Sequence, residues 1–212
     1  MRFFVLHPWI GSDAETLYEP AGNVRSGEAP TCPQCGSYVG AIEWLPPYVV
    51  RVRRFGAEIG DVAFESASND LLISHRFLAA WRSSVLRGLE KVDAVRVVAT
   101  RRVAEDETGH SWFRVAVPRT DARIDARRSR IVRQGPVTCD FCGGTNIVHA
   151  FRRLCIDESS WKGEDIFSPW GVNGVTVVTE RVPLLASAHG LKNVTVTPIE
   201  SFEWDSLGSR QG

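Results

Sequence analysis

The chain has 212 residues, and its 25 basic and 25 acidic side chains give a formal net charge of zero. This balance argues against a strongly basic nucleic-acid-binding protein and against a membrane-surface protein. The length allows one well-packed domain or at most two small ones. No apolar run approaches the roughly 20 residues that a transmembrane helix needs. The N-terminal run Met1–Trp9 is too short for a secretory signal, so we expect a strand there and a cytoplasmic protein.

A loop rich in Gly, Pro, Ser and Glu is predicted over residues 11–30, and it leads into the first of two cysteine pairs. This pair, Cys32 and Cys35, is followed directly by Gly36. The glycine allows a tight turn that directs both thiols to one point. A strand is predicted over 38–44, ended by two prolines.

An internal repeat is predicted further along the chain. The run 71–77 resembles the run 176–182, because each has a short apolar strand, then Ser74 or Thr179, then an arginine two residues later. Both hydroxyl residues are good helix N-caps. In the first copy, apolar residues at helical spacing predict a helix that extends to about Leu89. Each copy therefore predicts a strand, a helix and a further strand.

Between the copies, alternation predicts a strand over 111–117, with a turn at 105–109 before it. An arginine-rich segment follows, in which six arginines stand against two aspartates between Arg119 and Arg133. The second cysteine pair then comes at Cys139 and Cys142, again with a glycine directly after it.

The four paired cysteines predict a metal site. Two knuckles of this form supply the four thiolates that a structural zinc ion takes in a tetrahedron. The knuckles are separated by the 103 residues 36–138, so the ion would tie together distant parts of the chain. A four-cysteine site leaves no position for water, which indicates a structural rather than a catalytic role. Iron binds the same four ligands, so the sequence does not distinguish a zinc site from an iron site.

Cysteines can also serve as a redox dithiol or as buried free thiols. A redox dithiol needs a helix N-terminus to lower its thiol pKa, but a strand-like run follows Cys35. The fifth cysteine, Cys155, lies among apolar residues, and we interpret it as a buried free thiol. No nucleophile with a base partner and no phosphate-binding glycine loop stands out, so we expect no enzymatic activity.

The last third of the chain is acidic, with eight acids against three bases from Asp157 to Asp205. Its centre contains two tryptophans beside an acidic pair. These four residues are the candidates for contact with a partner, since Trp is favoured at interfaces and acidic surfaces attract basic partners. They are Trp161, Glu164, Asp165 and Trp170.

These features together resemble the myxobacterial double-CXXCG motif family, whose members include immunity proteins of a swarming-inhibition toxin system. The resemblance rests on the opening Met-Arg-Phe-Phe, both knuckles with their glycines, the run 70–74, and the late run from Asp165 through Thr179-Glu180-Arg181 to Gly190-Leu191. It implies a cytoplasmic antidote that binds one cognate protein toxin. The alternative is a zinc-ribbon nucleic-acid binder that uses residues 119–133.

The sequence thus predicts a single α+β domain over 1–212. We expect a mixed sheet with two related strand-helix-strand units and an inserted zinc ribbon formed by about residues 30–45 and 135–150. Zn²⁺ is the predicted ion, and no membrane contact is expected.

Overall fold

The computed structural model describes residues 1–8, 12–65, 70–98, 111–144 and 147–205. The predicted turn at 105–109 lies outside these residues. Strands dominate the described part of the chain, and its two α-helices have only eight residues each. No helix in these ranges is long and apolar enough to cross a membrane.

The elements of the first part of the chain are the strands β1 (Phe3–Leu6), β2 (Thr16–Pro20), β3 (Arg25–Ser26), β4 (Trp44–Leu45), β5 (Val49–Arg54), β6 (Val62–Phe64) and β7 (Asp70–Ser74), the helix α1 (His75–Arg82), and the strands β8 (Val92–Ala94) and β9 (Arg96–Val97). The elements of the later part are the strands β10 (Trp112–Ala116), β11 (Arg119–Ile124), β12 (Arg130–Arg133), β13 (Val148–Arg153), β14 (Ile156–Asp157), β15 (Ile166–Trp170) and β16 (Thr176–Thr179), the helix α2 (Arg181–Ala188), the strand β17 (Val196–Pro198), a 3-10 turn (Ile199–Ser201) and the strand β18 (Trp204–Asp205).

The predicted α+β class is wrong, because the protein is mostly β with a nearly closed, barrel-like sheet. The strands that flank α1 are not neighbours, since β10 lies between β7 and β8. Helix α1 stops at Arg82 and never reaches Leu89. The hydroxyls of Ser83 and Ser84 donate to carbonyls of the last turn, which favours ending the helix there.

The barrel-like sheet has the strand order β8-β10-β7-β6-β2-β5-β9. It nearly closes because one short segment reaches both edges: β8 pairs with β10, and β9, which begins two residues after β8 ends, pairs with β5. Closure of this kind leaves few exposed strand edges. The interior is filled by Tyr18, Trp44, Val50, Val52, Ala63, Leu72 and Trp112.

A second sheet, β14-β11-β15-β16-β1-β17, repeats the order of six strands of the first. Over these six strands the neighbours run in the same relative directions, including one parallel pair in each set, β2 with β6 and β11 with β15. Strand β1, from the start of the chain, takes the place in the second sheet that β10 takes in the first. We call residues 16–116 the first half, and residues 119–198 together with β1 the second half.

The two halves meet through equivalent apolar residues. Val62 pairs with Ile73 in the first half, and Ile166 pairs with Val178 at the corresponding place in the second. All four side chains lie in one buried cluster between the halves. Burial of apolar surface stabilises this junction by about 25 cal/mol per Å².

Two buried aspartates, Asp61 and Asp165, form hydrogen bonds across the junction, one from each half. Each of them is 1% exposed. Asp61 of the first half accepts hydrogen bonds from the Ser74 hydroxyl and from the backbone amide of Lys192 in the second half. Asp165 of the second half accepts from the Thr179 hydroxyl and from the backbone amide of Arg87 in the first half.

Each aspartate also pairs with the arginine that lies two residues beyond its hydroxyl partner, Arg76 or Arg181. The buried charges are therefore paired and hydrogen-bonded, as burial requires. Thr179 donates to Asp165 and does not cap α2, although the sequence predicted a cap there.

Replacing either aspartate by alanine is expected to lower the free energy of unfolding by about 3 kcal/mol, because a buried hydroxyl, a partly buried amide and an arginine lose their charged acceptor. Asp61→Ala and Asp165→Ala should cost similar amounts. Glu164→Ala is the control, since this side chain lies beside Asp165 in sequence and accepts an exposed hydrogen bond from a neighbouring amide, and it should cost less than about 0.5 kcal/mol. Urea unfolding measures all three, and an unchanged Asp165→Ala midpoint would contradict this account.

Candidate metal centre

Each cysteine knuckle lies between two paired strands. Residues 25–45 form an arm in which β3 pairs with β4, and the first knuckle is at its tip. The second knuckle lies between β12 and β13, which also pair.

The two knuckle turns have matching geometry. The amide of Gly36 donates to the carbonyl of Cys32 over 2.9 Å, and the amide of Gly143 donates to the carbonyl of Cys139 over 2.8 Å. Both glycines have positive φ, +72° and +84°, a conformation that other residues resist.

The four thiols converge across the junction, two from each half. Their sulfur atoms all lie within 4.8 Å of one another, and Cys35 Sγ lies 3.5 Å from Cys142 Sγ. All four cysteines are free of disulfide bonds. A tetrahedron with Zn–S bonds of about 2.3 Å has sulfurs about 3.8 Å apart. The four cysteines can therefore hold a metal ion.

Two arginines lie beside this cluster and match its charge. Arg119 donates to the carbonyl of Val39, and Arg133 donates to the carbonyl of Gly171. Burial lowers the pKa of both guanidinium groups, and a thiolate at Cys142 would oppose that effect. A divalent ion with four thiolates carries a net charge of −2, which two arginines balance.

The thiols differ in how readily they lose a proton. Hydrogen bonding with Ser37 lowers the pKa of Cys35 to about 6. Burial raises the pKa of Cys142 to about 12, although the amide of Gly144 donates to its sulfur over 3.3 Å. A coordinated cation deprotonates a thiol outright. A bound metal ion would therefore stabilise the Cys142 thiolate, which burial disfavours when no cation is present.

The fifth cysteine takes no part in the cluster. Cys155 is buried, its backbone amide donates to the Ser129 hydroxyl over 2.9 Å, and its thiol lies 3.8 Å from the carbonyl of Arg128. This placement agrees with the interpretation of Cys155 as a buried free thiol.

Of the four residues predicted to contact a partner, Trp161, Asp165 and Trp170 pack against other parts of the protein. Asp165 is buried at the junction described above. Trp161 packs edge-on against Phe3 of β1 and donates to the carbonyl of Glu164. Trp170 lies against Phe141 of the second knuckle, with their ring centroids 4.4 Å apart.

The sequence interpretation missed the residues that surround the metal site and the junction. Arg119 and Arg133 belong to the segment that only the alternative function used, as a nucleic-acid contact, yet both lie beside the thiols. Asp61 was not singled out, although it stands 13 residues before Ser74 as Asp165 stands 14 before Thr179. Extending the repeat upstream would have found this pair.

No protein-family model matches the chain, and no curated protein matches it at the threshold for a significant relationship. The site must therefore be interpreted from its own geometry.

Substituting Cys139→Ser is expected to abolish binding of one metal equivalent and to lower the Tm by about 10 °C or more, because metal binding contributes directly to folding. Elemental analysis and calorimetry measure the two effects. Cys155→Ala is the matched control, since it removes a buried thiol outside the cluster and should leave the metal content unchanged. A Cys139→Ser protein that keeps its metal would contradict the four-cysteine site.

Proposed function

We propose that the protein is a zinc-stabilised, non-catalytic immunity protein that binds and neutralises a cognate protein toxin in the cytoplasm. The observation that carries the structural part of this proposal is the convergence of four thiols from both halves. Because protein sulfur would fill all four positions of a tetrahedral ion, a metal bound there would have no site for a substrate or an activated water.

Zinc is the ion that we propose for this site. Four-cysteine sites at the tips of paired strands are typical of structural zinc. Among the residues that the structure describes, no second group of three or more metal-type side chains comes together. A metal with a purely structural role takes no part in recognising a partner, so the partner would be recognised by the protein surface. This is consistent with a protein that acts by binding.

The toxin-binding role is supported by the sequence resemblance to immunity proteins. Proteins of this kind act through complementary surfaces that speed association and select one partner. The balanced net charge, together with local charged patches, suits recognition of a specific protein better than general binding to a polyanion.

The test is survival of a bacterial host that expresses the product of the neighbouring reading frame, with and without this protein. We expect killing by the neighbour alone, rescue by the intact protein and by Cys155→Ala, and co-purification of the two chains. Cys139→Ser should rescue poorly, because its fold is weakened. Toxicity that the intact protein leaves unchanged would contradict the proposal.

A second candidate is nucleic-acid binding, favoured by one feature of the β12–β13 hairpin. Arg130 lies directly opposite Arg153 in the register, and Arg127 and Arg128 are exposed in the preceding turn. Like charges placed opposite each other are destabilising unless an anion comes between them.

If this candidate is correct, the protein should be retained on immobilised duplex DNA or RNA at low salt and released as salt rises, because phosphate contacts release counterions. Arg127→Gln/Arg128→Gln should weaken retention, whereas Arg51→Gln/Arg53→Gln on β5 should not. Equal behaviour of the two double variants would exclude this role for the hairpin.

A further inference from the structure

A groove with a volume of about 810 Å³ lies between the arm that carries the first knuckle and the junction of the two halves. The arm forms one wall through residues 28–44. The other wall comes from the chain between β10 and β11, and from Ser168 and Trp170 of β15. A groove of this volume accommodates a ligand of drug or short-peptide size.

The groove lies where the two halves differ. In the first half, three apolar residues lie opposite one another on the neighbouring strands β2, β6 and β7: Leu17, Phe64 and Leu71. Continuing the register of the second half puts three polar residues at the corresponding places: Arg119, Ser168 and Thr176. The second half therefore has polar side chains at the places where the first half has an apolar contact.

The hydroxyl of Ser168 has no evident structural role. The residue is 2% exposed, and its Oγ has no hydrogen-bond partner among the described residues. Because side chains alternate along a strand, Ser168 lies on the same face of β15 as Ile166 and Trp170, which is the face toward the junction. An unpaired buried hydroxyl costs about 1–3 kcal/mol, and a ligand in the groove would satisfy it.

The rim of the groove is acidic. Glu28, Glu43 and Glu90 are exposed along it, against Lys91 as the exposed base. The other two cations of the lining are engaged within the protein. Arg114 is paired with Asp70 and Asp93 and lies over the ring of Tyr48, while Arg119 stacks on Trp170 beside the thiols.

We infer that this groove binds an extended, arginine- or lysine-bearing segment of a protein partner. The acidic rim would attract the basic side chain, and the Ser168 hydroxyl would bond a polar group of the bound segment. Alanine, isoleucine and tryptophan side chains at Ala41, Ile42 and Trp170 supply the apolar contact area. The inference deepens the proposed function and rests on it for the kind of partner, a protein.

The test uses the metal-loaded full chain and pooled fluorescein-labelled heptapeptides with random flanks and a fixed central residue. Pools centred on arginine or lysine should bind about tenfold more tightly than the pool centred on glutamate, and the preference should shrink with salt. Glu28→Lys/Glu43→Lys should remove the preference. Glu200→Lys/Glu203→Lys, an equal charge change elsewhere on the surface, should keep it, and Ser168→Ala should weaken binding while keeping the preference.

Equal binding of all pools, or a preference that survives Glu28→Lys/Glu43→Lys, would overturn the inference. The rescue assay separates it from the proposed function. If the intact protein rescues the host and Glu28→Lys/Glu43→Lys, folded and metal-loaded, rescues equally well, the groove is not the partner site while the immunity role stands. If the intact protein prefers basic peptides but rescues no host, the groove stands and the immunity role falls.

Discussion

Four thiols that come from opposite halves of the protein meet at one point, and the placement of the arm and of the second knuckle depends on this meeting. The knuckle region itself buries few apolar side chains, so packing alone gives it little stability. An ion bound there would join segments 103 residues apart and would restrict the unfolded chain accordingly. The arm of residues 25–45, which forms one wall of the groove, would then be held at its tip by the metal.

The junction is held a second time by the reciprocal aspartates. Asp61 and Asp165 each accept a hydrogen bond from a backbone amide of the other half, so neither half alone satisfies its buried carboxylate fully. Strand β1 adds a topological tie, because the start of the chain completes the sheet of the second half. Relative movement of the halves would break buried hydrogen bonds as well as apolar contacts, which makes the junction a stable base for a groove.

The metal site was predictable because its signal is local. Two cysteines separated by two residues and followed by glycine specify a turn whatever the rest of the chain does. The fold class was not predictable in the same way. Short apolar runs before Ser74 and Thr179 do form strands, but their neighbours, β10 and β1, are distant in sequence. Asp165 was interpreted as a surface acid because its sequence neighbourhood is polar, whereas its hydrogen-bond partners come from residues 87, 179 and 181.

The most direct test of this account is X-ray absorption at the metal edge of the purified protein. The account predicts one zinc ion per chain with a single shell of four sulfurs at about 2.3 Å. A first shell that contains nitrogen or oxygen, or a folded protein that contains no metal and has its thiols free, would contradict the central claim that one ion joins the two halves.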